Sequence, residues 1–166
     1  MLSKTSIVIM GMLTKGEKNA YDMLKEIDSM NMKYWLPIGA TTLYETCIRL
    51  EKKGYIEDTG EADNKVVYCI TEKGRKELKK TICELYERVD YDSVWFCLAV
   101  MYSDVLTKKE FETEKKKRQA LLDEYEAGTK ANKNALLAAK IPYSGICAID
   151  RMISIIEMEK ETLKNL

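Results

Sequence analysis

The sequence predicts a mainly α-helical chain, with a winged helix-turn-helix over residues 1–90 and a helical region over residues 91–166. Three observations carry this. Between Trp35 and Gly74 the pattern runs helix, hairpin, helix, after two earlier helices. The composition is 46% hydrophobic and 33% charged with only two prolines and eight glycines, which favours a globular helical chain over disorder or a β-rich sandwich. Near the end, Ile146, Ile149, Ile153 and Ile156 recur at helical spacing.

Taken in order, Ser6–Leu13 is apolar apart from Gly11, and within Lys4–Thr14 it has room for three turns of a buried first helix. Thr14 to Lys18, with Gly16, reads as a turn. Asn19 is placed to cap a second helix with Ala20, Leu24 and Ile27 on its buried stripe, ending near Met30 or Asn31. After Pro37 and Gly39, a third helix from about Ala40 to Lys53 turns Leu43, Cys47 and Leu50 inward and Thr42, Glu45 and Arg49 outward, and Gly54 ends it. The β-rich runs Tyr55–Glu57 and Val66–Ile70 flank a polar loop with Gly60, Asp63 and Asn64, which together read as a hairpin. Thr71 then caps a helix reaching about Val89, with Leu78, Ile82, Leu85 and Val89 as its stripe.

Beyond Asp90, the nine uncharged residues Val94–Tyr102 predict a short helix at the core of the C-terminal region. Thr107 and Glu110 form a capping box for a charged helix that runs to about Ala127, with Gly128 as its stop. Its basic run Lys115–Arg118 reads as a solvated face, because opposite charges lie one turn away. Residues 129–140 read as a loop or short helix, and Pro142 with Tyr143 and Ser144 opens the last helix. There the isoleucines, extended to Leu163, form a heptad seam. The preceding helix looks too charged to cover that seam, so Ile146, Ile149, Ile153, Ile156 and Leu163 are expected to pair with a second copy, joined by the first helix through Ile7, Ile9 and Met12.

Charge and composition narrow the chemistry. Net charge is zero, and residues 1–90 hold 15 basic and 15 acidic side chains, so any positive surface must arise by placement. The chain has no histidine, which removes Ser-His and Cys-His pairs, histidine-bound zinc and the commonest general base. No phosphate loop or CxxC pair occurs, and no enzyme activity, cofactor or metal is expected. The five cysteines are odd in number and set in apolar contexts, so they read as reduced core residues. No apolar run is long enough to span a bilayer and no signal peptide is visible, which predicts a cytoplasmic protein.

Over roughly residues 5–90 the chain resembles the bacterial PadR-type transcriptional regulators. The resemblance rests on Trp35-x-Pro37, Leu43-Tyr44, Arg49-Leu50-Glu51 with Gly54, Tyr68, and Ile70-Thr71-Glu72-Lys73-Gly74; Ala20-Tyr21 with Lys25 fits the second helix. Glu45 stands where the family usually has proline, and Lys65 is the one lysine of a wing that also carries Glu57, Asp58, Glu61 and Asp63. The resemblance implies a homodimeric DNA-binding regulator, a repressor in the first instance, released from its operator by a small aromatic or lipophilic effector.

For a helix-turn-helix, Thr41, Thr42, Glu45 and Arg49 are the expected base-reading residues. Tyr44 is expected on a phosphate or packed between helices, and Lys65 on the DNA backbone or minor groove. Two recognition helices related by a two-fold axis imply an inverted-repeat operator. Tyr91, Trp95 and Phe96, at the junction of the two halves, are the candidate effector residues. The competing reading is a winged helix that serves protein assembly and does not read DNA.

Overall fold

The computed structural model describes residues 1–29, 32, 36–62, 65–89, 93–140 and 143–166. Trp35, Asp63, Asn64, Tyr91 and Pro142, which carried expectations from sequence, lie outside the described residues. The chain divides into two compact units, one formed by Met1–Cys83 with Val94–Leu106 and the other by Glu84–Ser93 with Thr107–Leu166. Among the described residues, no helix is long and apolar enough to cross a membrane.

The first unit is a winged helix. Helix α1 (Lys4–Leu13) starts where the Ser3 hydroxyl accepts from the Ser6 amide at 3.2 Å. Every residue from Ser6 to Leu13 is buried, so α1 is the centre of the core and not one wall of it. A two-residue strand β1 (Lys18–Asn19) follows, taking the last residue of the expected turn and the expected helix cap. The Asn19 side chain then accepts from the Asp22 amide at 2.9 Å and caps helix α2 (Ala20–Ser29).

Helix α3 (Ala40–Lys52) buries Leu43, Thr46, Cys47 and Leu50, and α1 and α2 pack on it. Gly54 ends it in the left-handed region, φ 68°, where a side chain would be strained; this lets the Tyr55 amide reach back to the Leu50 carbonyl at 3.0 Å. The wing is strands β2 (Ile56–Ala62) and β3 (Lys65–Ile70), antiparallel, with a bulge between Asp58 and Gly60 where the Gly60 φ is 123°. Pairing of Lys18 with Tyr68 makes a three-stranded sheet of order β1-β3-β2.

Helix α4 (Glu72–Tyr86) follows Thr71, whose hydroxyl donates to the Gly54 carbonyl at 2.7 Å and accepts from the Gly74 amide at 3.0 Å. One side chain thereby closes the wing and caps the helix. Leu78 and Ile82 are fully buried, as their spacing predicts. Helix α5 (Ser93–Met101) and the 3-10 turn Ser103–Val105 complete this unit from Val94 onward. The expectation that α5 is the core of the C-terminal region is therefore corrected: Leu98, Ala99 and Tyr102 are buried in the winged unit. The Tyr102 hydroxyl donates to the Val8 carbonyl at 3.4 Å, and Gly11 leaves the room its ring needs.

The second unit is built on two antiparallel helices. Helix α6 opens with the expected Thr107/Glu110 capping box but runs from Lys108 to Ala138, 31 residues, straight through Gly128. A single glycine costs a helix only about 1 kcal/mol relative to alanine, and packing along the neighbouring helix outweighs that. The neighbour is α7 (Tyr143–Lys164). Because α6 is this long, Ile146, Ile153, Ile156 and Leu163 are already buried and Ile149 half-buried within the single chain. This corrects the expectation that the seam needs a second copy to cover it. Likewise α1 is buried in its own unit, so Ile7, Ile9 and Met12 offer no free face.

The basic run of α6 is corrected in the same way. Lys116 and Lys117 are exposed, but Arg118 is 1% exposed, donating to the Leu85 carbonyl in the last turn of α4, to the Arg88 carbonyl just beyond it and to the Glu159 carboxylate on α7. It joins three segments of this unit at one guanidinium. Of the cysteines, Cys47 is buried, Cys69 and Cys83 are half-buried, and Cys97 and Cys147 are exposed, so the core reading fails for the last two.

Candidate nucleic-acid interface

Helix α3 turns its polar face outward by simple periodicity: with Leu43, Cys47 and Leu50 buried, Thr41, Thr42, Tyr44, Glu45, Ile48 and Arg49 are exposed. Thr46 is buried on the boundary, where its hydroxyl donates to the Thr42 carbonyl at 2.7 Å and accepts from an Arg49 guanidinium nitrogen at 3.0 Å. The Arg49 head is thus drawn one turn toward the start of the helix, on the side that also carries Thr42 and Glu45, and it has N–H donors beyond the one given to Thr46. Thr41, Thr42, Glu45 and Arg49 come together as one surface of hydroxyl, carboxylate and guanidinium groups. Donors and acceptors of that mix suit the edges of base pairs in a major groove.

Beside this face lies a groove of about 260 Å³ lined by Tyr21 of α2, Tyr44 and Ile48 of α3, and Lys65, Val66 and Tyr68 of β3. Tyr21, Tyr44, Ile48 and Val66 are each 38–49% exposed and together make an apolar patch. The Lys65 ammonium sits 4.1 Å from the Tyr21 ring centre and the Lys25 ammonium 4.5 Å from it. Cation–π attraction holds both there against their mutual repulsion, at about 0.5–1 kcal/mol each for exposed pairs. An anion placed between them would remove the repulsion.

The acidic residues of the wing are disposed differently. Glu57 pairs with Cys69 across the sheet, and the Cys69 thiol donates to its carboxylate at 3.4 Å. Strand alternation puts Glu57 and Cys69 on the face opposite Val66 and Tyr68, so this carboxylate points away from the groove. Asp58 is spent on the bulge, accepting from the Gly60 amide at 2.7 Å. Beneath the groove, burial first and then Glu51 push the Cys47 thiol up to about 12, which leaves it an uncharged packing group. Burial likewise raises the Tyr68 phenol, so its hydroxyl stays neutral.

Of the residues expected to bind an effector, Trp95 is half-buried beneath the Lys4 ammonium, 5.0 Å from its ring centre, and Phe96 is 5% exposed. Both belong to the winged unit. The residues missed from sequence are Tyr21, Lys25, Ile48 and Val66. Tyr21 and Lys25 stand four apart on one helix face, a readable pair, but the meeting of Lys65 with Tyr21 spans 44 positions and needs the fold.

Residues 9–80 match the model of the transcriptional regulator PadR-like family. Among solved structures, the chain is similar to Bacillus subtilis PadR in complex with operator DNA, at 16% identity over 96% of this chain and 95% of that one, TM-score 0.43. It is also similar to a PadR-like transcriptional regulator from Bacillus cereus, at 21% identity over 97% and 94%, TM-score 0.43. A Streptococcus mutans protein matches at 22% identity over 99% and 98%, TM-score 0.40. No curated protein matches the chain.

Proposed function

With residues 9–80 matching the PadR-like family, we propose that this chain is a DNA-binding transcriptional regulator, a repressor acting on its operator as a homodimer. The observation that carries the reading is the single surface on which α3 presents Thr41, Thr42, Glu45 and Arg49 beside the Lys25–Tyr21–Lys65 cluster. Base-reading groups and phosphate-seeking cations are then contiguous, as groove recognition requires. Glu45 accepts from a cytosine amino group and Arg49 donates to guanine, while Ile48 and Tyr44 supply apolar contact to a thymine methyl or a sugar. Lys65 and Lys25 hold phosphates.

The homodimer is carried by the apolar residues that α6 leaves uncovered on α7. Met152 and Ile155 are half-buried and Met158 is 55% exposed, a row set apart from the isoleucines that face α6. A two-fold axis along that row pairs two recognition helices with half-sites about 10 bp apart or a multiple of it. Met152→Glu with Ile155→Glu then gives a folded monomer that has lost most operator affinity, read by light scattering and circular dichroism. A double variant that stays dimeric moves the interface elsewhere. Trp95 and Phe96 remain the proposed contacts of a small aromatic or lipophilic effector, tested by ligand-induced release in Trp95→Phe.

The deciding experiment is selection from a random duplex library at low salt, followed by anisotropy across a salt series. The wild type enriches one sequence class and weakens steeply with salt. Arg49→Ala loses about 1–3 kcal/mol on the selected duplex and relaxes one base position, whereas Lys65→Ala weakens all duplexes alike. If no sequence is enriched, the regulator reading fails and the winged helix serves a protein partner instead.

A further inference from the structure

Where the turn after α1, the first half of α4 and the 3-10 turn after α5 come together in the winged unit lies a cavity of about 520 Å³. Four cations line it, Lys15, Arg75, Lys76 and Lys79, against two carboxylates, Glu72 and Asp104. In a chain of zero net charge this is a local excess of positive charge made by folding, since Lys15 arrives from 60 positions away. Arg75 and Lys79, four apart on α4, are side by side, and like charges at that spacing weaken a helix. Glu72 stands one turn before Arg75, yet among the described residues Lys15, Arg75 and Lys76 form no ion pair with any carboxylate. The lysines of the α6–α7 pair are treated otherwise: Lys130, Lys133 and Lys160 each reach an acidic partner.

We infer that this cavity binds a compact polyanion, a small molecule carrying two or more phosphate or carboxylate groups. Its size falls within the range of small-ligand sites, about 300–1,000 Å³. The Arg75 guanidinium offers a planar fork for two oxygens of one anionic group, and the three ammonium groups take the rest. Glu72 and Asp104 cannot touch those anionic groups but can accept from hydroxyls on the ligand's body, which favours a hydroxylated polyanion over a bare one. Four cations repel a divalent metal, and no lining residue is shared with the α3–wing groove. The inference rests on the cavity alone and stands or falls apart from the DNA reading.

The test is titration calorimetry of the whole chain with inorganic pyrophosphate and with citrate, against sodium chloride at matched ionic strength. Saturable one-to-one binding of either polyanion, absent with chloride, is expected. Arg75→Gln with Lys76→Gln, both exposed and so safe for folding, weakens it by about tenfold or more, and Lys15→Gln weakens it independently from a different element. Circular dichroism checks that each variant is folded. Failure of both probes to saturate at millimolar concentration overturns the inference. So does binding that the three substitutions leave unchanged, or a double variant that loses duplex affinity while keeping pyrophosphate.

Discussion

The winged unit pairs Lys18 with Glu26 but gathers other cations together, whereas the α6–α7 unit sets cations against carboxylates across its two helices. Between α6 and α7 the charges are neutralised in pairs: Lys160 bridges Asp123 and Glu126, each at 2.6 Å, Lys130 reaches Glu126, Lys133 reaches Asp150 at 2.6 Å, and buried Arg118 meets Glu159. In the winged unit, Lys25 and Lys65 crowd one tyrosine ring, and Lys15, Arg75 and Lys76 share a cavity without an ion pair to a carboxylate among the described residues. The two units therefore use similar side chains for different ends. Paired charges set the register of two helices, whereas gathered like charges raise the energy of the free protein and lower it once an anion arrives.

The largest effect that would sharpen this contrast is at Arg118. Arg118→Ala leaves Glu159 buried without its guanidinium and frees the Leu85 carbonyl, so the second unit should lose about 3–5 kcal/mol in denaturant unfolding. Arg118→Met with Glu159→Met removes both charges and should restore most of that loss. If the single change costs under about 1 kcal/mol, buried pairing does not hold this unit together.

Next is Gly74→Ala. A Cβ there would lie 2.0 Å from the Tyr55 carbonyl oxygen, a backbone atom that cannot swing aside, so thermal unfolding should show a cost of at least about 1–3 kcal/mol. An unchanged melting temperature would mean that α4 and the wing are less firmly joined than the Thr71 bonds imply.

A smaller effect on folding but a clear one on binding is expected from Lys25→Gln with Lys65→Gln. Stability should change by no more than about 0.5 kcal/mol, because both are surface groups. The salt slope of duplex binding should fall by about one for each phosphate that is no longer neutralised. A large loss of stability instead would make the cations of the winged unit structural, like those of α6 and α7, and break the comparison.

The smallest is a pH effect confined to the α6–α7 pair. Hydrogen bonds from Lys130, then from Lys160, hold the Glu126 carboxyl down at about 2, below its ordinary 4.5. A depressed folded-state value means stability that is present above the unfolded value and lost as pH falls from about 4.5 toward 2. Glu126→Gln should remove that part of the acid dependence, followed by the helical signal across an acid titration.

How far the sequence determined this protein follows the range of the forces involved. Positions three, four and seven apart on one helix are neighbours whatever the rest of the chain does, so the inward stripe of α3 and its outward Thr42, Glu45 and Arg49 were legible directly, as were the Asn19 and Thr107 caps and the glycine stop at Gly54. The wing was legible as a hairpin from its two β-rich runs, but β2 continues to Ala62, through Gly60 and much of what reads as a polar loop. Local rules misled where distant packing outweighed them: Gly128 looked like a stop until the whole length of α7 lay against α6, and Arg118 looked solvated because its nearest opposite charges were one turn away, while its partners are 30 to 41 positions distant. The fate of the isoleucine seam turned on that helix length, and α5 joined the winged unit because Tyr102 fits over Gly11. The Lys25–Tyr21–Lys65 cluster and the cation-lined cavity are products of tertiary structure alone. Each gathers charges from separate elements, and Coulomb energy depends on distance in space, which the order of residues along the chain does not fix.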